Sequence, residues 1–323
     1  MEFEKIFQDI PAHVKALHGK GEVASYIPAL ACIPGDKFGM ALHTVSGDCF
    51  SAGDSEERFS IQSISKVFTL SLAMGCEGGN LWRRVGREPS GNPFNSLIQL
   101  EYEKGIPRNP LINAGALVIS DVLVSNLDDP KKALLDYMRV LSGCFDINFD
   151  SEVAKSEAQT GFINRALANF LKGNNNLFND IDEVLDLYFH QCAIAMNYSE
   201  LANATLHLAN HGFSTAMDES ILTTEQTKRM NSLMLTCGLY DAVGEFAFRV
   251  GLPEKSGVGG GIIAVLPGEY SVAVWSPALE ASGNSLAGCG FGISDMDYRT
   301  FSFLILNHHR KVIRKPYIKS RAL

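Results

Sequence analysis

A chain of 323 residues can bury a core without disulfide or metal support, so a stapled mini-protein is excluded. Hydrophobic residues make up 46% and charged residues 20%, which excludes disordered and collagen-like classes. The formal net charge of −8 would repel a phosphate backbone, so no nucleic-acid partner is expected.

In chain order, the first twenty residues carry acids and no apolar core of signal-peptide length, so export by that route is not expected. Phe38 to Val45 is largely apolar and leads through Ser46-Gly47-Asp48 into Cys49 to Ala52, which predicts a β-hairpin. From about Ser63 to Leu235 apolar residues mostly recur at helical spacing, as in Val67, Leu70 and Met74, or Leu201, Ala204 and Leu208. Within this region Thr223 and Gln226 fit a capping box, whereas Ser199 with Ala202 is only a partial start signal. Strand character returns in Phe246 to Val250, Gly261 to Leu266 and Tyr270 to Trp275, the last two joined by Pro267-Gly268-Glu269. Arg310, Lys311, Arg314, Lys315, Lys319 and Arg321 form a basic tail that reads as solvated.

Strands toward both ends with helices between them predict an α+β fold, one antiparallel sheet built from both chain ends with a helical region against it. Residues of about 20–62 and 236–290 would form the sheet region, about 63–235 the helical region, and 291–323 a separate tail, all in one domain. Seven scattered cysteines without a Cys-x-x-Cys pair suggest a reducing compartment. Pro110 to Val124, the longest apolar stretch, contains Asn113, Ser120 and Asp121 and is too short and polar to span a bilayer. A cytoplasmic protein with no membrane partner is expected.

The sharpest chemical signal is Phe59 to Phe68, where Ser63 and Lys66 stand one helical turn apart as Ser-x-x-Lys. A serine hydroxyl needs a base beside it, and a lysine serves only if burial favours its neutral form, which Ile61, Ile64, Val67 and Phe68 would promote. The pattern alone is common by chance. Lys255-Ser256-Gly257 adds to it, because a Lys-Thr/Ser-Gly element before a strand accompanies Ser-x-x-Lys in penicillin-binding proteins and β-lactamases. The glycines at 257, 259, 260 and 261 would admit a ligand close to the backbone. His207 and His211 are four apart but lack the glutamate of His-Glu-x-x-His, His308-His309 belongs to the tail, and no Gly-Lys-Ser/Thr follows the glycines, so neither a metal nor a nucleotide cofactor is expected.

With these residues in place the chain resembles the serine-dependent glutaminases of the β-lactamase-like superfamily. The resemblance runs from about Gly21 to Gly288 through Ser25-Tyr26-Ile27-Pro28, Phe59 to Phe68, Asn109 to Ala116, Ser156-Glu157 with Asn164, Asp186 to Phe189, Gly238 to Asp241, Lys255 to Gly261, Trp275-Ser276-Pro277 and Gly283-Asn284-Ser285. It implies hydrolysis of L-glutamine to L-glutamate and ammonia through a serine acyl-enzyme, without a metal or other cofactor. By the same resemblance Ser63 is the nucleophile, Lys66 its base, and Val258 supplies a backbone N–H beside that of Ser63 for the oxyanion. Glu157 would hold the ammonium, Asn113, Asn164 and Tyr188 would orient the polar ends, Tyr26 and Tyr240 would stand near the reacting amide, and Gln62 would line the pocket. Each has a plainer reading: Glu157 and Asn164, two helical turns apart, also fit a solvated stripe, and Tyr188 fits a core position. Family members form homo-oligomers, so a homodimer or homotetramer is implied. Another Ser-x-x-Lys acyl transferase, such as a β-lactamase or esterase, and a non-catalytic binding protein are the competing classes.

Overall fold

The structure, a computed structural model, describes residues 2–17, 19–54, 57–91, 95–239 and 243–290. The basic tail, His308-His309 and Tyr240 lie outside the described residues. Strands are β1 (Gly39–Thr44), β2 (Cys49–Gly53), β3 (Phe59–Ser60), β4 (Asn148–Phe149), β5 (Ile194–Met196), β6 (Phe213–Ser214), β7 (Glu219–Ser220), β8 (Glu254–Ser256), β9 (Gly261–Leu266) and β10 (Tyr270–Trp275). Helices are α1 (Glu2–Lys15), α2 (Pro28–Ala31), α3 (Ser65–Glu77), α4 (Leu97–Tyr102), α5 (Asn113–Asn126), α6 (Pro130–Ser142) and α7 (Ser151–Thr160). They continue with α8 (Phe162–Gly173), α9 (Ile181–Cys192), α10 (Tyr198–Ala209), α11 (Thr224–Cys237), α12 (Val243–Arg249) and α13 (Leu286–Gly290).

The main sheet runs β2-β1-β10-β9-β8 with every neighbouring pair antiparallel, so β1 beside β10 joins the early and late segments. Gly47 and Gly268 adopt positive φ in the two hairpin turns, as the sequence predicts. Met40, Leu42, Ile262, Ala264, Val272 and Val274 face one way, onto α1 and α12. Ala41, Ile263, Val265, Ala273 and Trp275 face the other, into the large core shared with α3 and α10. Two covered faces explain why β1, β9 and β10 are apolar at nearly every position instead of alternating. At Gly39 a Cβ would lie 1.8 Å from the Tyr198 ring, so only glycine lets α10 sit this close to β1.

Three sequence expectations change, and one helix is new. Phe246 to Arg249 belongs to helix α12, which ends just before Val250, and Phe246 and Val250, four apart, are buried while Phe248 between them is 87% exposed; a strand would put all three on one face. Glu157 and Asn164 do not share a helix: α7 ends at Thr160 and α8 begins at Phe162, with Gly161 between them against the Phe189 ring. The α10 cap is the Asn197–Glu200 capping box, two residues earlier than the Ser199 signal, whereas the Thr223–Gln226 box closes as expected. The first helix, α1, was not foreseen; its Ile6, Phe7, Ile10 and Val14 cover the sheet face that would otherwise be solvated.

Candidate active site

Ser63 sits where strand turns to helix. The backbone leaves β3 at Ser60, passes through Gln62 at φ +50°, makes one tight 3-10 turn over Gln62–Ile64, and continues into α3. A positive φ at a non-glycine residue is costly, so the surrounding contacts must hold it. One turn further along, Lys66 is 1% exposed, and its Nζ donates to Ser63 Oγ at 3.0 Å and to Asn113 Oδ1 at 2.7 Å. Burial pushes the ammonium down to about 8, partly offset by the nearby Cys192 and Glu157. About one lysine in ten is then neutral at pH 7, enough to take a proton from the hydroxyl it touches. The Tyr188 ring lies 5.8 Å from Nζ.

The β8–β9 hairpin presses its backbone onto this turn. A Cβ on Gly257 would stand 2.5 Å from Ile61 O and 3.2 Å from Ser63 N, and one on Gly259 would stand 2.2 Å from Ser60 O. Glycine is therefore required for the approach. The hairpin is braced from behind by Trp275, which donates Nε1–H to Gly259 O at 3.0 Å and stacks on Phe59 with ring centroids 5.0 Å apart. Val258, between the two glycines, is brought to the Ser63 side of the pocket. Among the described residues neither the Ser63 nor the Val258 N–H is engaged by a backbone carbonyl, so both remain available to developing negative charge.

A cavity of about 210 Å³ opens over Ser63 and is lined by Tyr26, Gln62, Asn113, Glu157, Asn164, Tyr188 and Val258. Every sequence-predicted site residue among those described, apart from Lys66 beneath its floor, reaches it. The volume falls below the range of drug-sized pockets and suits a small metabolite. Glu157 on α7 is the buried carboxyl of this cavity, raised to about 7 by desolvation and drawn down by the Gln62 side chain and Lys66. From α5, Asn113 turns its Oδ1 to Lys66 and donates Nδ2–H to Asn164 Oδ1 at 2.9 Å, which leaves the Asn164 amide nitrogen for a ligand acceptor. The Asn109-Pro110-Leu111 turn before α5 is held by Asn109 Oδ1, which accepts from the Leu111 and Ile112 N–H groups.

Sequence reasoning missed Asn95, Thr160, Ile163 and Cys192, which also line the cavity. Nothing in their local pattern marks them, since they arrive from a loop and from helix ends. It also left Lys255 without a role. That lysine is 1% exposed, donates to Gly238 O at 3.0 Å and Ser256 O at 2.6 Å, and is pushed well below its ordinary range by burial and by Lys66.

Other candidates lack this convergence. His207 is buried with Nδ1 on Ala204 O at 2.9 Å, and burial lowers it to about 4; His211 lies past the end of α10 at φ +54°, so the pair does not share a helical face. Cys144, Asp146 and Glu200 cluster closely enough for a cation, but the Arg58 guanidinium already pairs with both carboxylates, at 2.5 and 2.6 Å. A larger groove of about 560 Å³ between Trp82 and α11 holds none of the predicted site residues.

A family model for Glutaminase matches residues 21–294. A glutaminase of Photorhabdus laumondii is 53% identical over 285 residues, covering 88% of this chain and 92% of the relative. One of Saccharophagus degradans is 54% identical over 286 residues, covering 88% and 93%. Among solved structures, the probable glutaminase ybaS superposes with TM-score 0.86 at 36% identity, covering 94% of this chain and 96% of that one. A probable glutaminase from Bacillus subtilis complexed with 6-diazo-5-oxo-L-norleucine gives 0.80 at 30% identity, covering 94% of each.

Proposed function

The chain belongs to the glutaminase family and hydrolyses L-glutamine to L-glutamate, and from this premise we propose that it does so through an acyl-enzyme on Ser63. The observation that carries the reading is the buried Lys66 amine, 3.0 Å from Ser63 Oγ at the floor of a small cavity with a carboxyl on its wall. Neutral Lys66 takes the Ser63 proton as Oγ attacks the substrate's side-chain carbonyl carbon. The Ser63 and Val258 N–H groups receive the oxyanion. When the tetrahedral adduct collapses, the C–N bond breaks and the proton held by Lys66 leaves with the nitrogen as ammonia. Water then attacks the ester, giving its proton to Lys66, and Ser63 recovers a proton as glutamate departs.

Selectivity follows from the two charges at the substrate's other end. Glu157, ionised, pairs with the ammonium; Asn113, Asn164 and Tyr188 offer neutral groups to the polar ends, and Gln62 lines the wall. Tyr26 stands at the mouth, 58% exposed, where it can cover the reacting amide, and Tyr240 joins it by resemblance. No cofactor or metal has a part in this scheme.

We also propose one glutaminase domain in which the sheet segments, about 20–62 and 236–290, and the helical segment, about 63–235, act together. A cytoplasmic homodimer or homotetramer without membrane or nucleic-acid partners completes the proposal. Among the described residues no helix is long and apolar enough to cross a membrane.

The test is ammonia release from L-glutamine, with L-asparagine alongside. Ser63→Ala and Lys66→Ala should each abolish it. 6-Diazo-5-oxo-L-norleucine should add once to the wild-type chain by intact mass and not to Ser63→Ala. Full turnover by either variant rejects the mechanism.

A further inference from the structure

The Gln62 carboxamide can present either its N–H₂ or its oxygen to Glu157, and only one choice favours an ionised carboxylate there. What decides it lies one step further from the cavity. Ser60, 5% exposed at the end of β3, donates its hydroxyl hydrogen to Cys192 O at 2.7 Å. That carbonyl ends α9, where helix carbonyls have no intrahelical partner, and as a pure acceptor it commits the single hydroxyl hydrogen of Ser60. The Ser60 lone pairs are left facing Gln62, so the amide nitrogen must sit there, and Gln62 Nε2 does so at 2.9 Å. Its second N–H is then free on the wall of the cavity that Glu157 also lines, and the Gln62 side chain favours the charged form of that carboxyl.

We infer that Ser60 is a positioning residue for substrate binding: through the chain Cys192 carbonyl, Ser60 hydroxyl and Gln62 amide it fixes a donor against Glu157 and so prepares that carboxylate for the substrate ammonium. The inference rests on the reading that Glu157 holds the ammonium. It explains why Gln62 is kept at positive φ, since this backbone turn brings its side chain back over Ser60 while Ser63 faces the cavity. Without the hydroxyl the carboxamide turns freely, and its oxygen repels the carboxylate for part of the time. The other titratable groups facing Glu157 are Lys66 from α3, Cys192 and Tyr188 from α9, and Tyr26 at the mouth, and Ser60 touches none of their side chains, its hydroxyl meeting only the Cys192 backbone carbonyl and the Gln62 amide.

Steady-state ammonia release over a pH series tests this. Ser60→Ala should raise KM for L-glutamine about ten-fold, a loss expected when a hydrogen bond to a charged group is disordered, with kcat within about two-fold. The acid limb of kcat/KM should move to higher pH, because Glu157 loses a donor that favours its charge. Ser60→Thr, which restores a hydroxyl, should return both toward wild type. An unchanged KM and acid limb in Ser60→Ala, a fall confined to kcat, or no rescue by threonine overturns the inference. If Ser60→Ala does not fold, Gln62→Met carries the same expectation, and an unchanged KM there overturns it equally. Glu157→Gln separates the two levels: an unchanged KM in that variant removes the ammonium assignment itself, whereas a raised KM beside an unaffected Ser60→Ala removes only the role of Ser60.

Discussion

Gly257→Ala should cripple turnover while leaving the protein folded and able to bind. A Cβ at this position would lie 2.5 Å from Ile61 O, so the hairpin has to retreat by at least about 0.5 Å to escape the clash and by about 0.9 Å to reach the 3.4 Å of ordinary contact. The clash is with backbone and cannot be relieved by a rotamer change. Retreat moves the adjacent Val258 N–H off the proposed oxyanion position while Ser63, on the 3-10 turn before α3, and Lys66, on α3, stay in place. Losing one oxyanion donor costs about 10²–10³ in kcat, or about 3–4 kcal/mol of transition-state stabilisation, and a displacement near 1 Å has a similar effect. We expect kcat to fall about 100-fold or more, with KM within a few-fold because Glu157, Asn113 and Asn164 belong to other elements. Gly75→Ala in α3 is the matched control: nothing lies within 4 Å of its added carbon, so turnover should be unchanged and stability equal or slightly higher. Wild-type kcat in Gly257→Ala would refute the placement of the hairpin at the reacting centre.

Further predictions concern charge and packing. Activity should climb with pH through 7 to 8, as Glu157, raised to about 7, ionises and Lys66, lowered to about 8, becomes neutral; a flat kcat/KM profile there would contradict both assignments. Stability has its own signs. The folded Lys66 binds its proton more weakly than the unfolded lysine at 10.5, so its burial cost is full below about 8 and is relieved as pH rises toward 10.5. Glu157 acts oppositely, losing stability as pH rises from 4.5 to about 7. Lys66→Met should accordingly be inactive yet as stable as wild type, or more stable by up to about 2 kcal/mol in denaturant unfolding. In α12, Phe246→Ala should cost about 3 kcal/mol and Phe248→Ala less than about 0.5 kcal/mol in the same assay; equal costs would restore the strand reading of this segment.

Much of the site was legible in one dimension because it is assembled from short pieces with fixed local geometry. Ser63 and Lys66 must face the same way if residues 62–77 are helical, and the glycines around Val258 announce a backbone that something approaches closely. Phe246 to Val250 was misread because five residues cannot separate a strand from one helical turn when the exposure of the middle phenylalanine is unknown. Glu157 and Asn164 line one cavity with Ser63, but the reading of them as two turns of one helix face fails, since a single glycine at 161 does not by itself declare a helix break.

The amino-acid sequence by itself determined the α+β order of elements and the placing of Ser63 one turn from Lys66, because each depends on periodicity or on neighbours within one turn. Tertiary structure alone decided that Asn113 would hold Lys66 from another helix, that Asn95 and Cys192 would line the cavity, and that Ser60 would orient Gln62. These contacts join residues 2 to 132 positions apart, and where they span separate elements their geometry is set by how the sheet and helices pack, which no local pattern encodes.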